Sequence, residues 1–185
     1  RDGGLDYDVV DDESLSDGDA RDGTLDLRHG RSYQALVLPR TRWISVEVYR
    51  VIERFWQQGG TVVATGCLPS RACEGPEQDR QIQEISCRVF GVSPLALDGM
   101  PDAERSAFVC SSPRAHFLER PDEELLRLLS RAGLADFAAS STRVYAQHRR
   151  KEGVDVYYLS YSDAEPSGPV TVRLRGSGLP ELLDP

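Results

Sequence analysis

Ala35-Leu36-Val37-Leu38 is an unbroken apolar run with Pro39 behind it. Such a run predicts a strand buried on both faces, as strands of parallel sheets are. Next, Ile44, Val48, Val51, Ile52 and Phe55 recur at helical spacing on one face, with Glu47, Arg50, Arg54 and Gln57 elsewhere. Ser45 is the predicted N-cap, and Gly59-Gly60 the predicted left-handed end. Thr61 to Thr65 is the next strand, so Gly30 to Ser70 reads as one βαβ unit. Gln78 to Phe90 predicts a second helix, with Ile82, Ile85 and Val89 inward and Gly91 after its end. Ala107 to Cys110 predicts a short strand. Pro121, followed by Asp122, Glu123 and Glu124, opens a third helix whose acids suit the positive end of its dipole. Leu125, Leu128, Leu129 and Ala132 form its buried stripe, and Gly133 closes it.

Ahead of that unit, Tyr7 to Asp11 reads as a short strand flanked by acids. Asp12 caps a helical turn at Glu13 to Leu15, Ser16 to Asp22 is a Gly/Asp loop, and Thr24 to Leu27 is extended. After residue 140 the period becomes two. Val144, Ala146 and His148 alternate with Arg143, Tyr145 and Gln147. Lys151-Glu152-Gly153 is a turn, Val154 to Tyr161 is rich in strand formers, and Val170, Val172 and Leu174 alternate with Thr171, Arg173 and Arg175. That is the pattern of antiparallel, half-solvated strands. The expected division is an α/β domain over 1–140 and a β-rich segment over 141–185.

Composition excludes more than it identifies. The 185 residues carry 30 acids against 22 bases, a net charge of −8. Phosphate binding needs clustered Lys and Arg, so a nucleic-acid surface is not expected, and neither is an anionic membrane. No apolar stretch approaches the roughly 20 residues of a membrane span. Four cysteines, at 67, 73, 87 and 110, lack the two-residue spacing of zinc or redox motifs. They read as thiols of a reducing compartment, which favours the cytoplasm. Arg1-Asp2-Gly3-Gly4 is neither a translation start nor a charged-then-apolar leader, so the chain reads as an excised segment.

Three blocks carry a family resemblance. They are Tyr33 to Pro39; Gly59 to Gly66 with Leu68-Pro69-Ser70; and His148-Arg149-Arg150 with Asp155 to Ser160, ending in Gly178 to Pro185. Together they resemble the region after the catalytic barrel in large bacterial glycoside hydrolases of the α-L-rhamnosidase kind. Relatives tend to carry Asn where Tyr161 follows Leu159-Ser160. The resemblance implies a flavodoxin-like three-layer parallel sheet, similar to class I glutamine amidotransferases, followed by antiparallel strands of a β-sandwich. It implies a non-catalytic part, with an upstream catalytic barrel and a downstream β-sandwich of the same polypeptide as partners. The parent would act on terminal sugars of glycans or glycosides. Two alternatives stand: the oligomerisation module of a β-galactosidase-like enzyme, and a stand-alone amidase-like hydrolase. In a flavodoxin-like order, Tyr7 to Asp11 takes the second strand's place. The six residues before it cannot supply a strand and a crossover helix, so the first strand is expected upstream of Arg1.

Candidate chemistry is thin. Cys67 follows a parallel strand, where an amidotransferase nucleophile would sit on a strand-to-helix elbow. The elbow needs glycines where Thr65 and Pro69 stand, and neither His116 nor His148 has a Glu two residues later. Asp17 to Gly23 hints at a calcium loop, but Arg21 and Arg28 stand where ligands are needed. No acid pair has the setting of a glycosidase site, and no Ser/Thr/Gly-rich loop suits a flavin phosphate. No catalytic residue, cofactor or metal ligand is therefore expected. Arg40, Arg42 and Trp43 lie just past the carboxyl end of a parallel strand, the edge where open α/β sheets bind ligands. Arg and Trp suit sugar hydroxyls and faces, which makes these three the candidate cleft-edge contacts.

Overall fold

The computed structural model describes residues 7–28, 30–121, 123–132, 134, 137–141, 143–151, 153–162 and 168–182. The expected roles of Asp122, Gly133, Glu152 and the two chain ends fall outside the described residues. Two compact units emerge, one of Val9–Leu125 and one of Leu126–Pro185 with Arg1–Asp8.

The first unit opens on α1 (Asp12–Ser16), capped by Asp11, whose Oδ1 accepts the Ser14 N–H at 2.7 Å. A three-stranded antiparallel meander follows: β1 (Asp19–Arg21), β2 (Thr24–Leu27) and β3 (Arg31–Tyr33). Asp22 and Gly23 form the turn between β1 and β2, with φ of 47° and 78°. A two-residue Asp-Gly loop with both φ positive matches the right-handed twist of a hairpin. The Gly/Asp segment is thus a hairpin, not an open loop.

β4 (Ala35–Pro39) leads to β5 (Trp43–Ile44) and α2 (Val46–Gln57). Ser45 caps α2 by accepting the Val48 N–H at 3.1 Å, and Glu74 Oε1 accepts the Val46 N–H at 2.9 Å. At the other end, Gly59 N–H reaches Trp56 O and Gly60 N–H reaches Phe55 O, the paired bonds of a Schellman motif, with Gly59 at φ 102°. β6 (Thr61–Thr65), β7 (Arg71–Ala72), a 3₁₀ turn at Pro76–Gln78 and α3 (Asp79–Phe90) come next. Short helices α4 (Pro94–Asp98) and α5 (Asp102–Ser106) precede β8 (Ala115–Leu118). α6 (Glu123–Arg131) spans the division between the units.

The architecture is mixed α/β. β4, β6 and β8 make a parallel sheet in that order, and β5 pairs with β7 in a small parallel ribbon. Leu36 and Leu38 align with Val62 and Ala64, then with Ala115 and Phe117. That face joins the buried side chains of α2 and α3, among them Tyr49, Ile52, Phe55, Ile82 and Val89. Leu25 and Leu27 of the meander enter the same core. A buried polar chain crosses it. Ser86 Oγ donates to Pro69 O at 2.6 Å, so the Tyr49 hydroxyl donates to Ser86 Oγ at 2.8 Å. Burial pushes the Tyr49 phenol well above its usual range.

In the second unit, β10 (Val144–Lys151) and β11 (Val154–Tyr161) form a hairpin, and β12 (Val172–Leu174) pairs antiparallel with β9 (Phe137–Ala139). His148 stacks on Tyr157 with centroids 4.2 Å apart, and its Nε2 lies 3.0 Å from Asp155 Oδ1. The Tyr157 hydroxyl donates to Arg175 O at 2.6 Å.

Several expectations need correction. Tyr7–Asp11 is not a strand: Val9 is exposed, and Asp11, rather than Asp12, is spent on capping α1. Ala107–Cys110 is not a strand either. Ala107 N–H still bonds back to Ala103 and Glu104, so these residues serve as the exit of α5. The strand lies later, at Ala115–Leu118. Ile44 belongs to β5 rather than to the helix, though it is buried as expected. β4 is not buried on both faces: among the described residues it pairs only with β6, and Val37 is 38 % exposed. Leu129 is the buried member of the α6 stripe, while Ala132 is exposed.

Candidate functional site

The carboxyl ends of the parallel strands are laced together by main-chain bonds. Arg40 N–H donates to Thr65 O at 2.9 Å, and Gly66 N–H donates to Leu118 O at 2.8 Å. Arg40 has φ of 47°, and its stem lies over Gly66, where a Cβ would come within 2.8 Å of Arg40 Cγ.

Two ion pairs close this edge. Arg42 Nη1 meets Asp98 Oδ2 at 2.7 Å, which raises the Arg42 pKa. Arg105 forks onto Glu119, with Nε to Oε2 at 2.7 Å and Nη2 to Oε1 at 3.0 Å, and also reaches Asp102 Oδ1 at 3.0 Å. The Arg105–Glu119 side chains are each 21 % exposed, so this pair is the better shielded of the two. Both partners were invisible beforehand. Asp98 is 56 residues from Arg42 and Glu119 is 14 from Arg105, and no local motif connects them.

Cys67 sits among these groups, buried at 7 % exposure. Burial is the largest influence on its thiol and raises the pKa. Arg42 and Arg40 oppose that shift, while Asp98 and Glu119 add to it. The nucleophilic form of cysteine is the thiolate, and this setting favours the thiol. Its backbone is wrong as well. Gly66 to Ser70 continue as bends and coil into β7, whereas a nucleophile elbow runs straight from strand to helix.

Arg40 and Arg42 are therefore brought together around Cys67. Trp43 stands apart from them on β5, 61 % exposed, with Arg71 as its cross-strand partner. Arg71 in turn is held by Asp79, at 2.6 Å, whose other oxygen accepts the Ala72 N–H at 2.8 Å. That main-chain bond, and then the Arg71 pair, hold Asp79 below the usual carboxylate range.

The acids of the first hairpin are also taken: Asp19 pairs with Arg21, and Asp17 with Arg28 at 2.6 Å. Among the described residues, no group of three His, Cys, Asp or Glu is placed to hold a metal ion. All four cysteines are free thiols, and no helix among the described residues is long and apolar enough to cross a membrane. Glycoside hydrolysis asks one carboxyl group to carry a proton to the leaving oxygen and another to face the sugar. Here each Glu119 oxygen already accepts from Arg105, and Asp98 is taken by Arg42.

The fold and this edge define an α/β module whose ligand-binding end is closed by ion pairs. Residues 2–185 match the family model described as α-L-rhamnosidase, glycoside hydrolase family 106, and the chain belongs to that family. No curated protein and no solved structure matches it.

Proposed function

We propose that this chain is a non-catalytic structural part of an α-L-rhamnosidase-family glycoside hydrolase acting on terminal sugars of glycans or glycosides. Its work is to brace an upstream catalytic barrel and a downstream β-sandwich of the same polypeptide and to shape the edge of the substrate cleft. Family membership supplies the reaction class. The observation that carries the structural role is the carboxyl edge of β4-β6-β8. Open α/β sheets keep their chemistry there. Here it holds a buried thiol and two Arg–carboxylate pairs already satisfied by one another. Arg40 and Arg42 are left as cleft-edge residues, and Trp43 as an exposed platform beside them in sequence.

The amidase-like alternative asks Cys67 to attack a carboxamide, which needs the thiolate and elbow that this site lacks. The chain, assayed alone, is expected to hydrolyse neither an aryl α-L-rhamnoside nor glutamine above the buffer rate, with Cys67→Ala indistinguishable from it. Robust turnover of either substrate overturns the structural reading, and its loss in Cys67→Ala would hand the chemistry to the thiol.

A further inference from the structure

Beside the closed edge, β8 runs out over a small cavity of about 280 Å³ that the ion pairs do not fill. One side of its lining is apolar: Phe108, Val109 and Phe117. The other is charged: Glu119, Arg120 and Glu124. We propose that this cavity is an accessory subsite for a single pyranose ring of a rhamnose-containing glycan, a proposal that rests on the glycosidase reading above.

Size argues for one ring. Pockets for drug-sized ligands start at about 300 Å³, so this one suits a smaller guest. The lining argues for a sugar. Phe117 is 5 % exposed and meets Phe108 edge-on, with centroids 6.4 Å apart at 65°, so the aromatic wall is held in place. A pyranose offers such a wall its C–H face, and a 6-deoxy sugar adds a methyl group. The same ring presents vicinal hydroxyls on its rim. Carboxylates accept hydrogen bonds at about four lone-pair positions, and the Arg105 fork uses two of those on Glu119. The fork also fixes where the remaining ones point, so little side-chain ordering is left for binding to impose. An anionic guest is disfavoured, because two of the three charged lining residues are acids. The cavity lies at the carboxyl end of a parallel strand, where ligand sites of open sheets cluster.

The test uses the full-length enzyme that carries these residues. Two substrates separate the subsite from the cleavage site: an aryl α-L-rhamnoside and a rhamnose-containing oligosaccharide of several units. Phe108→Ala should raise KM for the oligosaccharide about tenfold, leaving its kcat and both constants of the aryl glycoside within about twofold. Val109→Arg guards against a folding artefact. Position 109 is 84 % exposed, so a bulky cation there obstructs the mouth without touching the core, and the same KM split is expected. An oligosaccharide KM that stays within twofold in Val109→Arg overturns the subsite. So does an equal loss on both substrates. If the unaltered enzyme hydrolyses no rhamnoside, the glycosidase reading falls and the subsite with it. Sound aryl hydrolysis with an unmoved oligosaccharide KM removes the subsite alone.

Discussion

Gly60→Ala should be among the most damaging single substitutions in the first unit. A Cβ at Gly60 would lie 2.2 Å from Phe55 Cε2 and Cζ, and 2.5 Å from Cδ2. The ring has no room to retreat, since Phe55 is fully buried among the side chains of α2, α3 and the sheet. Nor can the backbone easily withdraw, because Gly60 N–H is tied to Phe55 O at 2.9 Å. Overpacking of this kind costs about 3 kcal/mol, against a total stability of roughly 5–15 kcal/mol. The urea midpoint should fall by roughly 1–2 M. Phe55→Leu placed in the same chain should return part of that loss, because the two positions share one space and are not additive. A Gly60→Ala midpoint within about 0.3 M of the parent would show that the core yields where the packing says it cannot.

The second large effect concerns association. β4 offers its outer ladder edge with Leu36 half-buried and Val37 exposed, and a long apolar edge recruits further strands. The chain expressed alone should therefore self-associate at micromolar concentration. Val37→Lys should shift it to monomer, because an edge lysine resists pairing while β6 keeps its own ladder with β4 intact. Analytical ultracentrifugation decides this. A sharply monomeric parent chain, or a Val37→Lys variant that associates as strongly as the parent, contradicts the account of the edge.

Local signals were legible wherever the decisive partner lies within a few residues. Ser45, the Gly59-Gly60 stop and the inward faces of α2 and α3 follow from capping and period alone. The parallel pairing of Ala35–Leu38 with Thr61–Thr65 followed from the βαβ pattern. Errors arose where tertiary context decides. Ala107 to Cys110 has better strand chemistry than Ala115 to Leu118, yet only the latter reaches the edge of β6. Tyr7 to Asp11 looked like a strand because its apolar residues were weighed without a neighbour to pair with. The Asp22-Gly23 hairpin was readable in principle, from a two-residue turn dipeptide between Asp19–Arg21 and Thr24–Leu27, and was overlooked because its strands are short and charged. At the site, Arg40, Arg42 and Cys67 could be placed from the end of a strand. Their counterions Asp98 and Glu119 could not, since ion pairs across distant segments leave no periodic trace.

The central claim is that no residue of this segment performs the chemistry of its family. A carboxylate scan of the full-length enzyme tests it most directly, with Asp98→Asn and Glu119→Gln as the key variants and kcat on an aryl α-L-rhamnoside as the readout. General acid–base groups contribute about 10²–10⁴-fold, so a structural role predicts that both variants keep kcat within about tenfold of the parent. A fall of about 10³-fold in either, with the fold intact by circular dichroism, would place catalysis inside this segment and contradict the account.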